Sequence, residues 1–473
     1  VIFPPPFRRF VVTRMFVCGL SAAGLLNGAT NIFDGWAAQT GAGWPTNWGF
    51  REGKPVPVHY AMNPQADRAA LDKAFRSLPI LALTLDAGDF LDPVRGIYAN
   101  PMEQGDAWER PVTARWIPAD GVKGFEIACG VRIQGGWNRR PEESPKHSLR
   151  LVFRKKYGPG RLEFPLFDGE PKEFETLILR GGNNNSWLHW SGEERRRADY
   201  LRDEWMRRSY AEMGHASVRG CFVHVSINGL YWGVYDLVER PDEHFVVARF
   251  GGKAKDWDSR NADKILSGDD IAWKKLVALA PNAAESAAWA EIGRLLDVPA
   301  FIDYLILNLY GANGDWDGAS NWYSARRRKP AGPHIFFVWD GERTLESVTD
   351  SRLADDAADS PSWLFQRLRA NAEFRRAFAA RAAVVLAEGG PLSPKVAAAR
   401  YRTLAEQLEP ALPAEAARWG SYRAMVAQYK TGPYEVYDVT QHWKPEIRRL
   451  LEEYFPARAK VFGEQLRAAG LLE

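Results

Sequence analysis

The sequence predicts an α+β protein with a β-rich first half and a helical second half, on three observations. Runs of β-branched and aromatic residues fill the stretch from about 63 to 250, and an Asn-Gly turn joins two of them. Beyond about residue 260, apolar residues recur at three- and four-residue spacing. Strands first, helices second and acid-bearing sequence between them amount to a two-lobe plan.

In chain order, residues 1–62 are rich in Gly, Pro and Trp and read as short strands and an extended connector. The second unit, 63–250, holds strand runs at Ile80-Leu85, Phe125-Ile133, Leu149-Phe153, Thr176-Leu179 and Phe222-Ile227. Asn228-Gly229 then leads into Tyr231-Val238, the signature of a two-residue hairpin. A mostly antiparallel sheet is expected here, interrupted by a helix from Glu193 to Met213 that Gly214 ends. In the third unit, 251–473, Asp297-Val298-Pro299 opens a helix reaching about Tyr310, with an acidic cap and a proline in its first turn. Further helices are expected over Trp363-Glu388, Ser393-Gln407, Glu415-Tyr429 and Gln441-Ala469.

Composition excludes several classes. Lys and Arg number 62 against 59 Asp and Glu, so no net basicity points to nucleic acid as the main partner. Nineteen tryptophans suit either a large core or sugar-binding platforms, which leaves glycan contact open. Cys18, Cys129 and Cys221 form no Cys-x-x-Cys pair, and the eight histidines show no metal-ligand spacing, which argues against a zinc site. A Cys129–Cys221 disulfide and three inert thiols both fit. The apolar stretch Met15 to Ala29 contains Asn27 and is too short to span a bilayer, so a transmembrane protein is not expected. It also lacks the order of a signal peptide, and the chain reads as a processed or truncated piece of something longer.

Chemistry concentrates in Asn313-Gly-Asp-Trp-Asp-Gly-Ala-Ser-Asn321 and Ile335-Phe-Phe-Val-Trp-Asp-Gly-Glu342. The first is a polar loop after a helix; the second is an apolar strand ending in an acid. A carboxylate, an amide a few residues on and an acid at a strand end can hold phosphate-bound Mg²⁺ while the first acid takes a hydroxyl proton. Kinases use the same parts in the same order. Asp315 and Asp317 both fit the base, and composition alone equally fits a polar turn. Upstream, Gly135-Gly136 forms a turn whose backbone can approach an anion, and Lys146 begins the next strand within reach of phosphates. Asp199, Asp203 and Glu204, on the expected helix, are candidates to orient that lysine.

These residues resemble the CotH family of spore-coat-type atypical protein kinases. The resemblance runs through Lys146-His-Ser-Leu-Arg-Leu-Val-Phe-Arg-Lys-Lys-Tyr-Gly158, Leu177-Ile-Leu-Arg180, Asp199 to Asp203, and the long pattern Val223 to Arg240 with its Asn-Gly-x-Tyr-x-Gly-x-Tyr core. Asp315, Asn321, Trp339-Asp340, Glu415-Ala-Ala-Arg-Trp-Gly420 and Phe455-Pro-Ala-Arg458 extend it over about 80 to 470. It implies a two-lobed atypical protein-kinase-like fold that phosphorylates Ser or Thr of secreted or envelope proteins, using ATP and Mg²⁺ or Mn²⁺. On that resemblance Lys146 contacts phosphate, Asp315 is the catalytic acid, and Asn321, Asp340 and Glu342 hold the metal. Glu342 stands where many members carry aspartate. Glu239 lies near the nucleotide. Val11 to Arg14 and Thr30 to Phe33 look like the last strand of an appended β-sandwich, which implies a secreted or surface parent. Two rival readings are a non-catalytic surface adhesion or coat-assembly module and a glycosidase using Asp315 or Asp317 with Asp340 or Glu342.

Overall fold

The computed structural model describes Trp36, Gly41 and residues 43–318 and 320–472. The expected sandwich strand and Cys18 lie outside the described residues. The molecule is mixed α/β, and the mostly antiparallel sheet expected from sequence is a seven-stranded closed barrel at its centre. Around the barrel run Gly220–Ile227, Leu230–Glu239, Thr176–Arg180, Ser148–Val152, Phe125–Gln134, Arg110–Ile117 and Ile80–Thr84. Six of the pairings are antiparallel. The seventh, which closes the barrel, is parallel and sets Ile80 opposite His224 and Leu83 opposite Ile227. Alternation sends Leu81, Leu83, Val112, Ala114, Ile127, Cys129, Val131, Leu149, Leu151, Leu177, Leu179, Val223 and Val225 into one core.

The hairpin at Asn228-Gly229 forms as expected, with both turn residues at positive φ. Cys129 and Cys221 are free thiols, and burial pushes both well above the ordinary thiol range, Cys129 to about 12.

The helix expected over Glu193 to Met213 is broken. Gly192–Arg196 is a single short piece, and the main helix begins only at Arg202 and runs to Glu212. Between them Tyr200 takes φ 67°, and the Asp199 carboxylate accepts from Leu201 N–H at 2.8 Å, a local bond that competes with helix. The helix expected over Trp363 to Glu388 also divides, into Pro361–Leu368 and Ala372–Leu386, because the Asn371 side chain caps the second piece. Val298–Gly311 is one helix, capped by Asp297, and buried on nearly every side. Beside it lies a second sheet of four antiparallel strands, in the order Lys264–Ser267, Trp257–Asn261, Tyr323–Arg327, Ile335–Phe337. Of these only the last was foreseen; the others are short and polar, without the apolar runs that mark buried strands.

No helix among the described residues is long and apolar enough to cross a membrane. Trp48, Trp187, Trp205, Trp232, Trp316, Trp322, Trp419 and Trp443 are fully buried, so much of the tryptophan excess goes to the core.

Candidate functional site

The second sheet explains how the acid-bearing segments meet. Its register pairs Tyr323 with Phe337, so Asn321, two residues before, and Asp340, three after, leave the sheet at the same end. Two backbone bonds tie the loop to the strand end: Gly314 N–H to the Arg343 carbonyl at 2.8 Å and Leu345 N–H to the Gly311 carbonyl at 2.9 Å. The Asn313 side chain accepts from Asp315 N–H at 3.2 Å and donates to Asn308 at 3.1 Å, which fixes the turn that presents Asp315.

Asp315 is pushed up to about 6, first by burial and then by the neighbouring Asp340 charge, with Asn321 opposing. The Asn321 side-chain N–H donates to the Asp315 carbonyl at 2.9 Å. Asp317 points elsewhere, accepting from the Ser362 hydroxyl at 2.6 Å. Asp315, Asn321 and Asp340 therefore converge, and of the two acids left open for the base it is Asp315 that faces the cluster.

Glu342 is placed differently. One oxygen accepts from Arg180 at 2.7 Å and the other from Asn184 N–H at 2.9 Å. Arg180 ends the barrel strand Thr176–Arg180, and its guanidinium also reaches Asp340 at 2.5 Å and Asp203 at 3.0 Å, beside the Trp339 ring. Burial alone would weaken Arg180's charge, but the three carboxylates outweigh it and raise its pKa. Burial likewise raises Glu342 against the pull of Arg180. Asp203 also accepts from Gly341 N–H at 2.7 Å, which pins the Asp340 turn to the Arg202–Glu212 helix.

Lys146 is fully buried, with its Nζ 2.6 Å from Glu415 and 4.9 Å from the Tyr235 ring centroid. The expectation of a partner among Asp199, Asp203 and Glu204 is corrected. Asp199 holds Arg202, Asp203 holds Arg180, and Glu204 holds Arg207 and Arg208. Each of those acids already has an arginine, and a buried lysine needs a carboxylate of its own. Glu415 also accepts from Val234 N–H at 2.7 Å, where Gly233 at φ +126° gives it room; a Cβ there would sit 2.6 Å from the carboxylate. Lys146 connects to the acid cluster through its backbone, which packs on Gly181 next to Arg180. A small cavity of about 30 Å³ is lined by Arg180, Tyr200, Asp203, Tyr235 and Glu342.

Two candidates lie apart from this cluster. Glu239 is paired with Arg219 at 2.7 Å and with Arg249, on the wall of a separate cavity of about 170 Å³. Gly135 and Gly136 precede the turn Trp137–Arg139, and the Gly135 carbonyl accepts from Arg139 Nε at 2.6 Å. Among the described residues no three His, Cys, Asp or Glu side chains are grouped as a metal site. Sequence reasoning missed the pairing of Glu415 with Lys146 and the placement of Arg180 among Asp203, Asp340 and Glu342. Glu415 and Arg180 stand inside segments that carried the family resemblance, which was the only signal available for them.

Fold and site together define a mixed α/β protein with a carboxylate–amide cluster, an arginine and a buried lysine–glutamate pair along the seam between barrel and helices. A family model described as CotH kinase protein matches residues 131–461, and the chain belongs to that family. A comparison with curated proteins gives no match.

Proposed function

We propose that the chain is an ATP-dependent phosphotransferase using Mg²⁺ or Mn²⁺, and a Ser/Thr protein kinase for secreted or envelope proteins. The barrel would form one lobe of a kinase-like fold and the helices the other. The observation that carries this reading is the convergence of Asp315, Asn321 and Asp340 at one sheet end.

The donor chemistry fits a hard cation. Asn321 spends its N–H on Asp315, which leaves the amide oxygen to ligate, and the repulsion that lifts Asp315 is relieved by positive charge. Asp340 and Asn321 would hold the ion, which when bound supplies charge neutralisation on the transferring phosphoryl group. Glu342, with both oxygens engaged, would act through Arg180. Asp315, ionised above about pH 6, would orient and accept the proton of the incoming hydroxyl. Lys146, held by Glu415, would correspond to the lysine–glutamate pair by which kinases position a phosphate-contacting lysine.

A non-catalytic coat-assembly or adhesion module is the second reading, favoured by the occupation of Asp340 and Glu342 by Arg180. Incubation with γ-labelled ATP and Mn²⁺ or Mg²⁺ separates the two. We expect label on the chain or on a generic protein acceptor, lost in Asp315→Asn and Asp340→Asn. No label with any acceptor, and no nucleotide-induced thermal shift, would favour the non-catalytic module.

A further inference from the structure

We propose that Arg180 is a resident cation of the acid cluster, which keeps free metal out until a polyphosphate draws its guanidinium away. This rests on the reading of Asp340 and Asn321 as the metal-holding pair. The guanidinium lies 2.5 Å from Asp340, 2.7 Å from Glu342 and 3.0 Å from Asp203, so one planar fork bridges three carboxylates from two chain segments. Arg207 already neutralises Glu204 at 2.7 Å and stands 3.6 Å from Asp203, so Asp340 and Glu342 depend on Arg180 for their countercharge. A divalent ion approaching Asp340 alone meets a carboxylate already compensated and a positive charge beside it. A metal–polyphosphate complex brings anionic oxygens that Arg180 can bind instead, so Asp340 is freed as the nucleotide arrives. Metal and nucleotide are then coupled through one side chain, and Glu342 is the anchor to which Arg180 returns.

The test is Mn²⁺ binding by the full chain, followed by the loss of the free-ion paramagnetic resonance signal, without nucleotide. We expect Arg180→Gln to bind Mn²⁺ at least about ten-fold more tightly than the unmodified chain, and Asp340→Asn in that background to remove the gain. With a non-hydrolysable ATP analogue, Mn²⁺ binding should tighten strongly in the unmodified chain and only weakly in Arg180→Gln. Because Arg180→Gln strips countercharge from a buried cluster, the paired variant Arg180→Gln/Glu342→Gln is compared with Glu342→Gln alone; tighter Mn²⁺ binding in the pair is again expected. Equal or weaker Mn²⁺ binding in folded Arg180→Gln, or in the pair, overturns the proposal. Tightening without any phosphoryl transfer would uphold it while removing the kinase reading; transfer with unchanged Mn²⁺ affinity would do the reverse.

Discussion

Lys146 has no contact with solvent and owes its charge to one carboxylate. Burial lowers its pKa, and the Glu415 charge and hydrogen bond oppose that shift. Removing either partner leaves an unpaired buried charge, so Lys146→Met or Glu415→Gln should each cost about 3–5 kcal/mol in urea unfolding. The double variant should recover most of that loss; equal losses that simply add would mean the two do not interact. Gly233→Ala should also destabilise, since a Cβ would press on Glu415 and the φ of +126° suits glycine. At this scale the loop that holds Asp315 and Asn321 and the strand end before Asp340 were legible because loop polarity and a strand-end acid are local signals. Glu415 was not, because it lies 269 residues from Lys146 and only tertiary packing brings them together.

At the scale of elements, the Val298–Gly311 helix is fixed laterally by Asp303. Its carboxylate bonds His215 Nε2 at 2.6 Å and Arg381 at 2.6 and 2.8 Å, which links it to the end of the Arg202–Glu212 helix and to Ala372–Leu386. Burial would raise the Asp303 pKa, but these partners outweigh it and hold it below the usual range. A depressed carboxylate stabilises the fold above its unfolded pKa of about 3.9 and loses that contribution as pH falls through the folded value. Asp303→Asn should therefore lower the melting temperature at pH 7, and its gap to the unmodified chain should close below about pH 4. A gap independent of pH would show that ionisation plays no part. Helix and strand positions were largely legible from periodicity. The breaks at Tyr200 and Asn371 were not, because each depends on a single side chain bonding back to the backbone.

Across the whole molecule, the chain's last third returns to the barrel. Trp419 packs on Trp232 and Trp48 and donates to the Trp232 carbonyl at 2.7 Å, and Glu415 enters beside it. Trp419→Ala should cost about 3–5 kcal/mol in urea unfolding, as expected for a large buried aromatic. A change under about 1 kcal/mol would mean that this end of the barrel is held by other contacts. The β-then-α order was readable from composition. Barrel closure was not: it depends on parallel pairing between strands far apart in sequence, which alternation within either strand does not reveal.

The site is tested most directly by measuring binding and transfer separately on Asp315→Asn. With Mn²⁺ and nucleotide, calorimetry should show near-unchanged affinity if, as proposed, Asp315 serves the hydroxyl acceptor and not the metal. Transfer of γ-labelled phosphate in single turnovers should fall by about 10²–10⁴-fold. Transfer at the unmodified rate, with the same nucleotide affinity, would contradict the placement of the chemistry at Asp315.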